Sequence, residues 1–217
     1  HYDRIESTLQ AVAAKVSAEP CVAYMGRGSA GHFVKMVHNG IEYGMMQLIA
    51  ETYDLMQSVL RMQYTEMYRT FDEWNSGELN SFLIEITANV LRKVDPDTGK
   101  HLVSLILDTA GQKGTGKWTS QAAMDLGVPV PTIDAAVSMR QISAQKAIRG
   151  RVAEEYAGLR NSSDATRSRT SAGELKDALL CGFILTYAQG ISLLKAASEE
   201  KNYGLDLAEI ARIWRGG

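Results

Sequence analysis

Gly31-His32-Phe33-Val34-Lys35-Met36-Val37-His38-Asn39-Gly40-Ile41-Glu42-Tyr43-Gly44 carries polar residues at helical intervals inside an apolar background. Lys35, His38, Asn39 and Glu42 stand at i, i+3, i+4 and i+7. At about 100° per residue they share an arc of roughly 100° on one helix face. Apolar residues run on around the other sides through Ile41, Met45, Leu48, Ile49, Leu55, Met56 and Val59, so the spacing predicts a long, largely buried helix. A buried stripe of an amine, an imidazole, an amide and a carboxylate is costly unless the groups are paired or used. The stripe therefore reads either as a solvated face laced by a Lys35, Asn39 and Glu42 hydrogen-bond ladder, or as a set of working groups.

On the N-terminal side, apolar residues at positions 5, 9, 12, 13 and 16 predict an amphipathic helix from Ile5 to Val16, ended by Glu19-Pro20. Cys21 to Met25 is short and β-prone and predicts a single buried strand. Gly26-Arg27-Gly28-Ser29-Ala30-Gly31 satisfies G-x-G-x-x-G between that strand and the helix. A dinucleotide-binding unit needs a second parallel strand after the helix, with an acidic residue for the ribose. Here the helix continues and is followed by Arg61 to Asn75, polar and helical in pattern. The glycines thus read as a turn feeding the long helix, with Ser29 its candidate N-cap.

On the C-terminal side the pattern stays helical almost to the end. Met67, Phe71 and Trp74 form one stripe, and Leu79, Phe82, Leu83, Ile86, Val90 and Leu91 another, before the turn Asp95-Pro96-Asp97-Thr98-Gly99. Leu102 to Leu107 fits a strand or a short helix equally. Pro131-Thr132 opens a helical segment to Tyr156, Asn161 to Ser171 is a polar loop, Glu174 to Tyr203 is a second long helix, and Leu207 to Trp214 a last short one. The predicted fold class is mainly α, a multi-helix domain around two long buried helices, with any strand confined to Val22–Met25 and Leu102–Leu107.

Composition narrows the function classes. The chain has 217 residues, 45% hydrophobic and 22% charged, enough for one sizeable core. A net charge of -2 and a pI near 6.1 give no global attraction for nucleic acid or an anionic membrane. Cys21 and Cys181 are too few for a disulfide framework, and no signal peptide or uninterrupted apolar span is evident, so the default compartment is the cytoplasm. No His, Cys, Asp and Glu cluster has metal spacing; His32 and His101 read as surface or helix-end residues, and Cys181 as a core residue. The chain begins His1-Tyr2-Asp3 and stops at Arg215-Gly216-Gly217, and so reads as a fragment.

Gly111-Gln112-Lys113-Gly114-Thr115-Gly116-Lys117-Trp118 is the second informative stretch, because glycines and two lysines in a connecting loop suit an anionic oxygen cluster. It misses the P-loop pattern by one residue, since Trp118 stands where a hydroxyl should reach Mg²⁺, and no parallel sheet accompanies it. Arg140, on a helix after Val137 and Met139, is by itself an ordinary surface charge.

The Gly31–Gly44 block resembles the catalytic helix of the 6-phosphogluconate dehydrogenase family almost residue for residue. The looser pattern Gly28-x-x-Gly31-x-x-x-Lys35-x-x-x-Asn39 resembles the wider β-hydroxyacid dehydrogenase group. The Gly111–Trp118 stretch is similar to the family's substrate-phosphate loop, and Tyr187-Ala188-Gln189-Gly190 and Trp214-Arg215-Gly216-Gly217 to two further landmarks, so the resemblance spans essentially the whole chain. It implies NADP-dependent oxidation of 6-phosphogluconate at C3, loss of CO₂, and protonation of the enediol to ribulose 5-phosphate, without a metal. In that scheme Lys35 is the base and Glu42 the acid; His38 and Asn39 bind the sugar acid, while Tyr43, Lys113 and Arg140 hold its phosphate. A catalytic lysine must be neutral when it acts, and burial beside a cation would favour that form.

The departures from the family are specific. Its nucleotide fingerprint and Ser-Gly-Gly substrate loop are absent, as is the C-terminal tail lent to a partner subunit, and Met45 stands where relatives usually carry an acid. No cofactor-binding residue is therefore expected in this chain. Residues 1–30 read as the last helix and strand of a nucleotide-binding domain, and 31–217 as a truncated helical domain for substrate binding and homodimer formation. The alternatives are another β-hydroxyacid dehydrogenase, or a non-catalytic helical interaction module that keeps the ancestral site.

Overall fold

A computed structural model describes residues 2–157 and 170–216. Most of the polar loop expected over Asn161 to Ser171, together with His1 and Gly217, lies outside the described residues. Within them the chain is mainly helical, as predicted: α1 (Glu6–Val12), α2 (Ala30–Ser58), α3 (Tyr64–Asn75), α4 (Phe82–Arg92), α5 (Thr115–Asp125), α6 (Pro131–Ala144), α7 (Lys146–Glu155), α8 (Ala172–Glu200) and α9 (Leu207–Ile213). The two long helices are 29 residues each.

The chain forms two compact units, each drawing on part of α2 and part of α8. The first comprises His1–Ile41, Gly114–Val130 and Tyr187–Gly217. The second comprises Glu42–Lys113 and Pro131–Thr186.

In the first unit Val34, Val37 and Ile41 of α2 are buried with Ala123, Leu193, Leu194, Ala197 and Ile210. Two close approaches fix this core. A Cβ on Gly40 would lie 2.6 to 2.8 Å from Thr119 side-chain atoms of α5, and one on Gly190 of α8 would overlap the Ile41 side chain. Thr119, fully buried, donates through Oγ1 to the carbonyls of Met36 and Thr115, each at 2.9 Å. The missing side chain at Gly40 thus lets α5 approach α2 closely enough for the Thr119 hydroxyl to reach the Met36 carbonyl.

The N-terminal region departs from expectation. The helix stops at Val12, short of the predicted Val16, because Ala13 is extended and Lys15–Val16 (β1) pairs antiparallel with Glu19–Pro20 (β2). Ser17 and Ala18 form the connecting turn, both with φ > 0 (51° and 68°). Hairpins of this kind normally place Asn or Gly there, so Ser-Ala carries no turn signal. The strand expected over Cys21 to Met25 does not form: among the described residues the only sheet is β1–β2, and an isolated extended segment has no ladder in which to pair.

The second unit contains an α3–α4 hairpin whose core is Met67, Phe71, Trp74, Leu79, Ile84, Ala88 and Leu91. Ser81 caps α4 by accepting from Ile84 N at 3.3 Å. Phe82, Ile86 and Val90, predicted to face inward, form an exposed row instead, since α4 turns Ile84, Ala88 and Leu91 toward α3. Beyond the Asp95–Gly99 turn, Val94 bridges His101, and Leu102–Ser104 makes a single 3₁₀ turn; the ambiguous run up to Leu107 is neither strand nor α-helix. The helical segment predicted from Pro131 to Tyr156 breaks at Gln145 into α6 and α7.

Helix α8 opens with a capping box: Glu174 N donates to Ser171 Oγ at 3.2 Å and Ser171 N to Glu174 Oε2 at 2.7 Å. It carries no charge from Ala178 to Leu194 and is long and apolar enough to cross a membrane by length and composition, a span the sequence reading passed over. A core helix of a soluble protein meets the same criterion. Leu179, Phe183, Leu193 and Leu194 are buried, whereas Ile184 (60%) and Leu185 (54%) are exposed. Cys181, expected in the core, is also exposed.

Candidate functional site

The glycine turn before α2 is a packing device. Gly26 (φ 143°) lies so close to the Tyr203 carbonyl that a Cβ would overlap it, and Arg27 N donates to the same oxygen at 3.0 Å. Ser29 Oγ lies 3.1 Å from the Tyr203 hydroxyl, and Ala30 is fully buried as the helix begins. The G-x-G-x-x-G motif therefore uses its first glycine against protein backbone, in agreement with its reading as a turn.

From that start α2 displays its polar face. Lys35 Nζ lies 3.1 Å from His38 Nδ1, so the lysine's partner is the imidazole one turn on rather than the Asn39 of the expected ladder. Lys35 is exposed rather than buried, and His38 and Asn39 are half-buried. The His38 ring meets the Trp214 indole edge-on, with centroids 5.1 Å apart and planes at 68°. Trp214 in turn lies 6.4 Å from the Tyr187 ring.

Lys35 and Asn39 line a cavity of about 420 Å³ whose other walls include Ser29, Met36, Thr115 and Trp118. Sequence reasoning missed the last two as wall residues. Thr115 to Trp118, taken as loop, form the first turn of α5, and their i, i+3 spacing gives them one face. Gly114 enters that turn with φ 104° and packs against the Trp118 ring.

Four of the predicted residues lie in the second unit. The Arg140 guanidinium sits 4.9 Å from the Tyr43 ring centroid, a cation–π geometry, and its Nη1 donates to the Gly111 carbonyl at 2.9 Å. Arg140 is thus tied to the glycine loop, which the sequence could not say. Lys113 is exposed and Glu42 half-buried. Ahead of the loop, Asp108 pairs with Lys146 and, at 3.0 Å, with Arg149, and these two cations hold its carboxyl down at about 2. Ala110 N donates to Ser143 Oγ at 2.8 Å, completing the anchor. Among the described residues no group of three His, Cys, Asp or Glu side chains could hold a metal ion.

Fold and cavity together define a mainly helical protein organised on one long helix with a lysine–histidine–asparagine face. The family described as 6-phosphogluconate dehydrogenase, C-terminal domain, matches residues 31–217. A decarboxylating 6-phosphogluconate dehydrogenase of Synechococcus elongatus is 50% identical over all of this chain and 46% of its own length. The NADP(+)-dependent, decarboxylating enzyme of Bacillus subtilis is likewise 50% identical with the same coverage. Among solved structures, Plasmodium falciparum 6-phosphogluconate dehydrogenase, determined in its apo form, with NADP+ and with 6-phosphogluconate, superposes with a TM-score of 0.91. It is 46% identical and is matched over 99% of this chain and 46% of its own. The chain belongs to the 6-phosphogluconate dehydrogenase family and spans about half the length of the curated relatives it matches.

Proposed function

We propose that this chain supplies the substrate-binding and acid–base residues of an NADP-dependent, decarboxylating 6-phosphogluconate dehydrogenase. The observation that carries the reading is the contact between Lys35 Nζ and His38 Nδ1 at the edge of the 420 Å³ cavity. Its support from similarity is the 50% identity to decarboxylating relatives across the whole chain. Residues 31–217 are then the helical substrate domain and residues 1–30 the end of a nucleotide-binding one. The first glycine of the Gly26–Gly31 turn packs against the Tyr203 carbonyl, which supports assigning NADP binding to a part of the protein outside this chain.

The proton chemistry follows from the residues. As the base, Lys35 takes the proton of the C3 hydroxyl while the C3 hydride would pass to NADP bound by the intact enzyme, and the ammonium so formed can donate to His38 Nδ1 as an acceptor. After CO₂ has left, protonated Glu42 gives its proton to C1 of the enediol. Asn39 hydrogen-bonds the sugar acid with His38. Arg140, braced on Tyr43 and Gly111, offers the phosphate a bidentate fork, and Lys113 adds a point charge. The working state is a cytoplasmic homodimer, a reading supported by the exposed apolar side chains of α8, Ile184 and Leu185.

The test is turnover of 6-phosphogluconate with NADP by the intact polypeptide that carries this chain. Lys35→Met should abolish it, because no base remains. Glu42→Gln should slow the late protonation while leaving KM near its starting value. Full turnover by Lys35→Met refutes the assignment.

A further inference from the structure

We infer that Arg140, Ser143, Lys146 and Arg149 form a clasp that positions the glycine loop for a phosphate group, and that Arg149 is the positioning residue that closes it. The kinetic consequence rests on the proposed function, and the geometry does not. The four residues stand at i, i+3, i+6 and i+9 and meet the loop in reverse order. Arg140 Nη1 donates to the Gly111 carbonyl at 2.9 Å, Ser143 Oγ accepts from Ala110 N at 2.8 Å, and Lys146 and Arg149 both pair with the Asp108 carboxylate.

One unbroken helix could not make these contacts. At about 100° per residue, each step of three turns the row back by about 60°, so Arg149 would lie about 180° from Arg140. Gln145, with φ -90° and ψ 46°, leaves the helical region between α6 and α7 and returns the row to the loop. The guanidinium of Arg149 then reaches three acceptors on two segments. Its Nη1 donates to Asp108 Oδ2 at 3.0 Å, and its Nη2 to the Asp108 carbonyl at 2.7 Å and to the Ser143 carbonyl at 3.0 Å. A lysine's single nitrogen cannot stand at both places.

Little else holds the loop. Leu105, Ile106 and Leu107, which lead into it, are exposed. Among the described residues, every hydrogen bond or ion pair from residues 108–113 to another element comes from this row. A cavity of about 330 Å³ lined by Met46, Ala50, Ala110, Ile142 and Arg149 lies beside it, so packing does not back the loop there. Holding residues 108–111 fixes both cations assigned to the phosphate: Arg140 through the Gly111 carbonyl, and Lys113 through the backbone two residues further on.

In the intact enzyme, Arg149→Met should raise KM for 6-phosphogluconate at least tenfold and change kcat by less than about twofold, because the proton-transfer residues on α2 are untouched. Arg149→Lys, which keeps the charge toward Asp108, should raise KM about threefold. Competitive inhibition by inorganic phosphate should weaken as KM rises, and inhibition by gluconate, the same acid without its phosphate, should hold within about twofold; a general loss of structure would move both. Hydrogen exchange resolved at the Ala110 amide of the same protein should be at least tenfold faster in Arg149→Met than in the parent. An unchanged KM, equal weakening of both inhibitors, or unchanged exchange at Ala110 overturns the inference. If Arg149→Met does not fold, Arg149→Lys carries the same test with its smaller change. If the intact protein lacks the dehydrogenase activity altogether, the proposed function fails, and the exchange at Ala110 still decides the clasp.

Discussion

Replacing Gly40 by alanine tests the close approach of α2 to α5. An added Cβ would stand 2.6 Å from Thr119 Cγ2, 2.7 Å from Oγ1 and 2.8 Å from Cβ. None of these is the loose end of a flexible chain: Thr119 is β-branched, fully buried and bonded through Oγ1 to two carbonyls. Overpacking of this kind costs about 1 to 3 kcal/mol, and pulling Oγ1 from the Met36 carbonyl about 1 more. Alanine returns about 1 kcal/mol through its better helix propensity. The net expectation is a loss of about 2 kcal/mol, which for a chain of this size lowers Tm by about 4 to 8 °C. Thermal unfolding followed at 222 nm measures it. Thr119→Ala removes two of the three obstructing atoms, so the cost of Gly40→Ala should fall by about 1 kcal/mol in that background. A Tm for Gly40→Ala equal to or above the parent, or the same cost in both backgrounds, would refute the reasoning.

Calorimetry on this chain should detect weak binding of 6-phosphogluconate that fades with added salt, and none of NADP; equally tight NADP binding would show a nucleotide site at the Gly26–Gly31 turn. The Asp108 carboxyl, held at about 2 against an ordinary 3.8, contributes stability that is fully present above about pH 4 and is lost as pH falls through about 2. Asp108→Asn should therefore flatten the acid limb of a Tm-versus-pH curve over that window, and an unchanged limb would count against the Lys146 and Arg149 pairing. Light scattering should give the mass of a dimer, and a monodisperse monomer would contradict the homodimer reading.

The helices were legible in the sequence because periodicity is local: α2, α3, α8 and α9 each announce themselves within a window of two or three turns. What failed were the places where local pattern and tertiary demand part company. Phe82, Ile86 and Val90 are spaced for burial, yet Ile84, Ala88 and Leu91 are the residues that meet α3. Cys181 sits in an apolar run and still faces outward, since apolar composition around a whole helix does not say which side finds a neighbour. The β1–β2 hairpin was invisible because Ser17-Ala18 adopts positive φ without the residues that favour it.

The candidate site divides along the same line. Lys35, His38, Asn39 and Glu42 could be placed on one face from spacing alone, whereas Trp118 on the cavity that Asn39 lines and Trp214 beside His38 could not, because those placements cross the chain. Helix geometry nevertheless explains why the working face is where it is. On α2, Val37 and Ile41 lie within about 40° of each other, and Gly40 falls about 60° to one side of Val37. These are the positions closed by α8 at Gly190 and by α5 at Thr119. The polar stripe is centred roughly 150° from Val37, away from both close approaches. Close helix packing consumes the glycine and β-branched side of α2, and a face left open by that packing can hold an amine, an imidazole and an amide without the cost of burying them unpaired.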